Sequence, residues 1–192
     1  MNSFVIAGLG NPGPQYQWTR HNAGFLFLDR LAHLENISVT RKSFSGLAGE
    51  WNLKGNRHVL IKPQTFMNLS GRAVMQALQF YKLPLSQLIV VHDELDLPFG
   101  TVRLKQGGGH GGHNGLRSII EQLGKGDFTR LRIGIGRPPH GDTVNYVLGN
   151  IPPDQMENLS KVLDGGVDML EMLLEEGLPK AMSMFNNRNF LE

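Results

Sequence analysis

Cysteine is absent from the 192 residues. Its absence removes thiolate nucleophiles, disulfides and Cys-ligated zinc, and is compatible with a cytoplasmic protein. Long apolar runs are missing as well. None approaches the roughly 20 residues that a membrane-spanning helix needs, so no membrane partner is expected. No basic segment precedes the short apolar stretch in Met1-Asn-Ser-Phe-Val-Ile6, which reads as a first strand and not as a signal peptide. The chain contains no G-x-S-x-G elbow, no G-x-x-x-x-G-K-[ST] phosphate loop and no H-E-x-x-H zinc pattern. A serine nucleophile, a P-loop nucleotide and the usual zinc-protease chemistry each lose their sequence support.

What is present describes a globular domain. Hydrophobic content of 40% and charged content of 19% are ordinary for one, and the length suits one α/β domain with a full core. The net charge of +2 is unevenly spread. Residues 101 to 140 carry seven Lys/Arg against Glu121 and Asp127, whereas residues 154 to 179 carry seven Asp/Glu against Lys161. The first stretch suits a phosphate-facing surface and the second repels phosphate. Charge alone is also compatible with two solvated faces.

Apolar patterning gives the elements. Phe4 to Gly8 reads as a short buried strand, and Asn22 to Leu34 as a helix with Asn22 as candidate N-cap. Leu47–Leu53 and His58–Lys62 read as paired strands turning at Lys54-Gly-Asn56. Ser70–Tyr81 is an amphipathic helix stopped before Pro84. Leu88–Val91 and Thr101–Leu104 are strands, Gly115–Leu123 a helix, and Arg130–Gly136 a strand with one wet face. The acidic C-terminal helical region, residues 153–180, is open to a break at Gly165-Gly166. Strands alternate with helices, so the expected fold is α/β: a central mixed, largely parallel sheet with helices on both faces. With no repeat, low-complexity segment or linker, residues 1–192 are expected to form one domain.

Four segments carry polar residues that a scaffold does not require: Gly8-Leu-Gly-Asn-Pro-Gly13 through His21-Asn22, Lys62 through Asn68, His92-Asp-Glu-Leu-Asp96, and Gly107 through Gly115. Each follows or ends an expected strand, where sites in open α/β sheets lie. The first matches G-x-G-x-x-G, but Pro12 and Pro14 follow and no helix begins at once. No acidic residue ends a second strand about 20 positions on, so a dinucleotide is not supported. His110 and His113 make an H-x-x-H beside acidic residues, yet nothing else in the pattern supports a metal. No cofactor is expected.

His33, His58 and His140 read as solvated. His21, at a helix start, reads first as a cap or surface histidine. A neutral imidazole there could also take a proton from water, with a carboxylate fixing its tautomer. Asp93 is the natural supplier, although spacing does not pair the two. Asn11, Asn68 and Asn114 offer amide donors and acceptors suited to carbonyl recognition, but each also fits a turn or cap; Asn114 could be simply the N-cap of its helix.

Taken together these blocks resemble the bacterial-type peptidyl-tRNA hydrolase family. They comprise Gly8 to Gly13, Tyr16 with Thr19-Arg-His-Asn-Ala-Gly24, Lys62-Pro-Gln-Thr-Phe-Met-Asn-Leu-Ser-Gly71, Val91 to Asp96, Gly109-His-Gly-Gly-His-Asn-Gly-Leu116 and Arg130 to Pro138. They run in the family's order over about three quarters of the chain. The resemblance implies a metal-free hydrolase for the ester between a blocked peptide and the 3′-terminal ribose of tRNA. It implies His21 as general base, Asp93 as its orienting carboxylate and Asn11 as the group that separates a blocked amide from a free amine. Tyr16, Phe66, Asn68 and Asn114 resemble the family's binders of the peptidyl-tRNA end, with Met67 and His113 lining the same cleft. Lys105 and Arg132 resemble its clamp on the 5′ phosphate. The oxyanion would be held by Asn68, Asn114 or a backbone N–H, and the protein is expected to be a monomer in the cytoplasm. Two rivals of other classes remain open at this stage. A chaperone-like RNA-binding module would tolerate loss of His21, and a metal-dependent amidase or peptidase using the His/Asp cluster would be silenced by a chelator.

Overall fold

Strands buried on both faces need helices on both sides, and the apolar runs of this chain are distributed accordingly. The computed structural model describes residues 2–192. Its strands are β1 (Val5–Gly8), β2 (Arg41–Ser43), β3 (Gly46–Leu53), β4 (Asn56–Pro63), β5 (Leu88–Glu94), β6 (Val102–Gln106) and β7 (Thr129–Gly134). They form one seven-stranded sheet in the order β2-β3-β4-β1-β5-β7-β6. The central strands β4, β1, β5 and β7 run parallel, and β3, β2 and β6 join antiparallel at the margins. The mixed sheet expected from the sequence is therefore present.

Helices α1 (Ala23–Glu35), α5 (Met156–Glu176) and α6 (Leu178–Phe185) cover one face, packing Leu28, Leu31, Val162 and Met169 on Ile6, Ile89 and Leu131. Helices α2 (Ser70–Tyr81) and α3 (Asn114–Leu123) cover the other, packing Val74, Ala77 and Ile119 on Val5, Ala7 and Val90. A short helix, α4 (Thr143–Val147), stands apart from both clusters. No helix is long and apolar enough to cross a membrane among the described residues.

Several expectations are refined. Helix α5 runs unbroken through Gly165-Gly166. A Cβ on Gly165 would fall 2.2 Å from the Phe190 ring, so glycine there admits a neighbour instead of ending the helix. His58 is not solvated: it is 2% exposed, sits between the Phe4 and Trp51 rings, and accepts a hydrogen bond from Phe4 N at Nδ1 (3.2 Å). Burial pushes its pKa down to about 4, keeping it neutral. Strand β7 has no fully wet face either, because Arg130 is buried. The edge of β6 is covered by Asn186, whose Oδ1 accepts from Leu104 N (2.9 Å) and whose Nδ2 donates to Leu104 O (3.0 Å). That side chain satisfies edge groups which would otherwise template a foreign strand.

Candidate active site

The C-terminal ends of β1 and β5 are neighbours in the sheet, and the candidate residues His21 and Asp93 sit beside them. Asp93 is the penultimate residue of β5 itself, not part of a loop after it. His21 lies in the single turn Arg20–Asn22 that leads into α1. That turn reaches β5 because Gly24 lets the start of α1 press onto the sheet. A Cβ at Gly24 would fall 2.3 Å from Leu9 N and 2.4 Å from Val91 O.

The pair that sequence spacing could not join is joined here. His21 Nδ1 lies 2.9 and 3.0 Å from the two Asp93 oxygens. Both residues are buried. Burial would raise the Asp93 pKa, but the two imidazoles beside it outweigh that and hold it well below the usual carboxylate range. Burial would likewise lower His21, and the Asp93 charge and hydrogen bond together outweigh it, so the His21 pKa lies above its ordinary 6.5. An ionised Asp93 can only accept, so His21 donates from Nδ1–H and keeps its lone pair on Nε2. His21 and Asp93 both line a cleft of about 790 Å³.

His113 is the second imidazole on this carboxylate, with Nε2 2.8 Å from Asp93 Oδ1. Its other nitrogen accepts from Gly115 N (3.1 Å) and Leu116 N (3.3 Å), which makes His113, and not Asn114, the N-cap of α3. Asn114 is left exposed on the cleft, its Oδ1 accepting from Arg117 Nη1 at 3.3 Å. His92, whose own segment points to no role, is buried behind this group. Its ring meets that of His113 edge-on at 5.1 Å and its Nδ1 donates to Asp93 O (2.8 Å). Burial first, and the nearby His113, push its pKa down to about 3, so this imidazole is neutral.

Asn11 faces the same cleft from the loop after β1. Its Oδ1 accepts from Met67 N (2.7 Å), which leaves Nδ2 as the donor on its amide. Asn22 stands at the N-cap position of α1, as expected, but its side chain makes no capping bond. Its side chain clamps the Asn11 backbone instead, accepting from Asn11 N (2.8 Å) and donating to Asn11 O (3.0 Å). Phe66, Met67 and Asn68 form the adjacent wall, with Phe66 58% exposed. Tyr16 is not brought to the cleft lining; it lies half-buried in the turn Pro14–Tyr16.

The basic residues extend the cleft along β6 and β7. Lys105 and Arg132 both line it, with Arg132 Nη1 3.5 Å from Glu94 Oε1. Arg130 has a different task, missed in the sequence. Its guanidinium donates to the carbonyls of Gly108, Gly109 and Gly126, bracing the glycine loop that leads to His113. His110 turns back on its own loop, accepting from Gly112 N (2.9 Å), so the H-x-x-H pair does not converge. The donors that do converge are His21, Asp93 and His113, whose ligand-type atoms lie within 4.8 Å of one another. They are of metal-binding type, but each is already engaged in a direct hydrogen bond that an ion would have to replace.

A family model described as peptidyl-tRNA hydrolase matches residues 5–192 of this chain. The chain belongs to the peptidyl-tRNA hydrolase family. It is accordingly an ester hydrolase acting on peptidyl-tRNA. A peptidyl-tRNA hydrolase of Pelobacter propionicus is 82% identical over 192 residues, the full length of both chains. One of Geobacter sulfurreducens is 62% identical over 191 residues, covering 100% of this chain and 99% of its own. The crystal structure of peptidyl-tRNA hydrolase from Acinetobacter baumannii superposes with a TM-score of 0.91 at 40% identity, covering 98% of this chain and 97% of that one. The peptidyl-tRNA hydrolase fold thus carries the whole described sheet, and the cleft opens at the C-terminal ends of its parallel strands.

Proposed function

We propose that this chain cleaves the ester between an N-blocked peptide and the 3′-terminal ribose of tRNA by a metal-free mechanism, with His21 as general base, on a single domain of residues 1–192. The observation that carries the reading is the bond from His21 Nδ1 to Asp93, which commits the lone pair to Nε2 on the cleft side. Nε2 takes a proton from water, and the water attacks the ester carbonyl. The imidazolium so formed is stabilised by the buried carboxylate, and its proton returns to the departing ribose oxygen. Asn68, Asn114 or a backbone N–H donates to the oxyanion. Asn11 Nδ2 donates to the blocked peptide's first carbonyl, a group that a free aminoacyl ester lacks. Lys105 and Arg132 hold the 5′ phosphate at the far end of the cleft, where recognition of an unstacked acceptor end needs no base sequence. One positioned base contributes about 10²–10⁴-fold, a reasonable share for an ester with a good leaving group.

Single-turnover hydrolysis tests this. His21→Ala should lose at least about a hundredfold in rate with the fold intact. The wild type should keep its activity in EDTA and prefer N-blocked to free aminoacyl-tRNA. Near-normal turnover by His21→Ala would place the base elsewhere, and loss in EDTA that added metal restores would replace the mechanism with a metal-assisted one.

A further inference from the structure

Helix α4 is a wall of the cleft without a core behind it. Thr143, Val144, Val147 and the following Leu148 line the cleft, yet none of the helix's five residues is buried, and Val144 is 65% exposed. Isolated helices shorter than about 12–15 residues are marginal in water, and most protein helices are held by packing an apolar face. This helix has neither length nor packing, so specific contacts must hold it.

Those contacts are few. Asp142 caps the helix by accepting from Asn145 N (3.1 Å). The Tyr146 hydroxyl donates to Ile135 O (2.6 Å), which ties the helix to the end of β7. The Arg20 guanidinium lies 4.2 Å from the centre of the Tyr146 ring, and its Nη1 donates to Tyr146 O at 3.3 Å. Beneath that side chain the backbones also meet: Arg20 N donates to Gly149 O (3.0 Å), and Ile151 N to Trp18 O (2.8 Å). Arg20 is the residue immediately before His21, in the same turn.

We infer that Arg20 is a positioning residue, which fixes the apolar wall of α4 against the turn carrying His21 and thereby sets how closely the cleft holds its substrate. This rests on the reading of His21 as the base. The work calls for arginine, whose planar fork can stack on a ring and donate to a carbonyl at once; a lysine keeps the charge but cannot do both. Arg20 makes no contact with the His21–Asp93 bond, so its role is in binding and not in proton transfer.

The test compares Arg20→Lys, Arg20→Gln, Tyr146→Leu and the double Arg20→Gln/Tyr146→Leu. Removing one stacking contact and one hydrogen bond should raise hydrogen exchange of the α4 amides by about 5- to 30-fold while leaving β5 unchanged. KM for peptidyl-tRNA should rise by a similar factor with kcat within about twofold and the pH dependence of kcat unmoved. Arg20→Lys should fall between wild type and Arg20→Gln. The double variant should lose less than the sum of the singles, because both remove the shared stack, while the Arg20 bond to Tyr146 O and the Tyr146 hydroxyl bond to Ile135 O are lost separately. Unchanged α4 exchange would overturn the inference, as would additive losses. A kcat that falls together with a displaced pH profile would mean that Arg20 acts on His21 itself. Acceleration that reaches β5 would mean a general role in stability. Exchange is read without substrate, so its failure is distinguishable from failure of the His21 reading.

Discussion

As the proposed base, His21 is useful only while neutral, and its surroundings decide when that is. The Asp93 charge and hydrogen bond together keep its pKa above 6.5 despite burial, so the proposed base is progressively protonated, and lost, as pH falls through that raised value. Asp93→Asn removes the charge and leaves the burial, which alone lowers the pKa. The rising limb of kcat/KM against pH should therefore move to lower pH, while the maximal rate drops less than in His21→Ala because the imidazole remains. A limb that stays in place would show that another group sets it. At this scale the sequence was informative about identity and silent about partnership. His21, Asp93, Asn11 and Asn68 were visible in their motif blocks. The sequence separation of 72 between His21 and Asp93 carries no signal that they touch, because β1 and β5 become neighbours only in the folded sheet. His92 and Arg130 were missed for a related reason: burial of a polar side chain is a property of its surroundings, not of its own segment.

Elements governed by local chemistry were read well. The expected turn at Lys54-Gly55 joins β3 to β4, and α2 spans Ser70–Tyr81 as its apolar spacing indicates. Elements governed by a distant neighbour were not. Two consecutive glycines suggest a break, but in α5 they make room, Gly165 for Phe190 and Gly166 for Phe27. Gly165→Ala is a sharp test. In an open helix the change would stabilise by roughly 1 kcal/mol. Here the added methyl overlaps the Phe190 ring, and overpacking of this kind costs about 1–3 kcal/mol. Urea unfolding should show net destabilisation, relieved when Phe190→Ala is combined with it. A gain in stability would mean that the ring moves aside freely. The cap of α3 carries the same lesson, since the preference for asparagine at a helix start points to Asn114, whereas a histidine already oriented by Asp93 takes the position.

Across the whole molecule the division is between chemistry at the strand ends and charge along the β6–β7 margin. Lys105→Ala should raise KM for full-length peptidyl-tRNA and leave hydrolysis of a short ester-bearing fragment nearly unchanged. Losing one phosphate contact should also flatten the log–log dependence of binding on salt by about one unit at most. Equal damage to both substrates would place Lys105 at the chemical centre. Lys105 is the cleaner choice, because removing Arg132 also leaves Glu94 without its ion pair.

The position of β1 between β4 and β5 also bears on how fast the enzyme is made. Val5 must find Val59 on one side and Leu88 on the other, whereas the β3–β4 hairpin closes locally. Long-range pairing is slow, on the order of milliseconds to seconds in small domains, because loop closure comes before its reward. His21 and Asp93 flank this seam, so activity should be among the last properties a refolding chain acquires. After dilution from urea, far-UV circular dichroism should recover partly before catalysis does, and catalysis should follow the slowest phase. Were the two to return together, the central strand would have to pair as early as the hairpin.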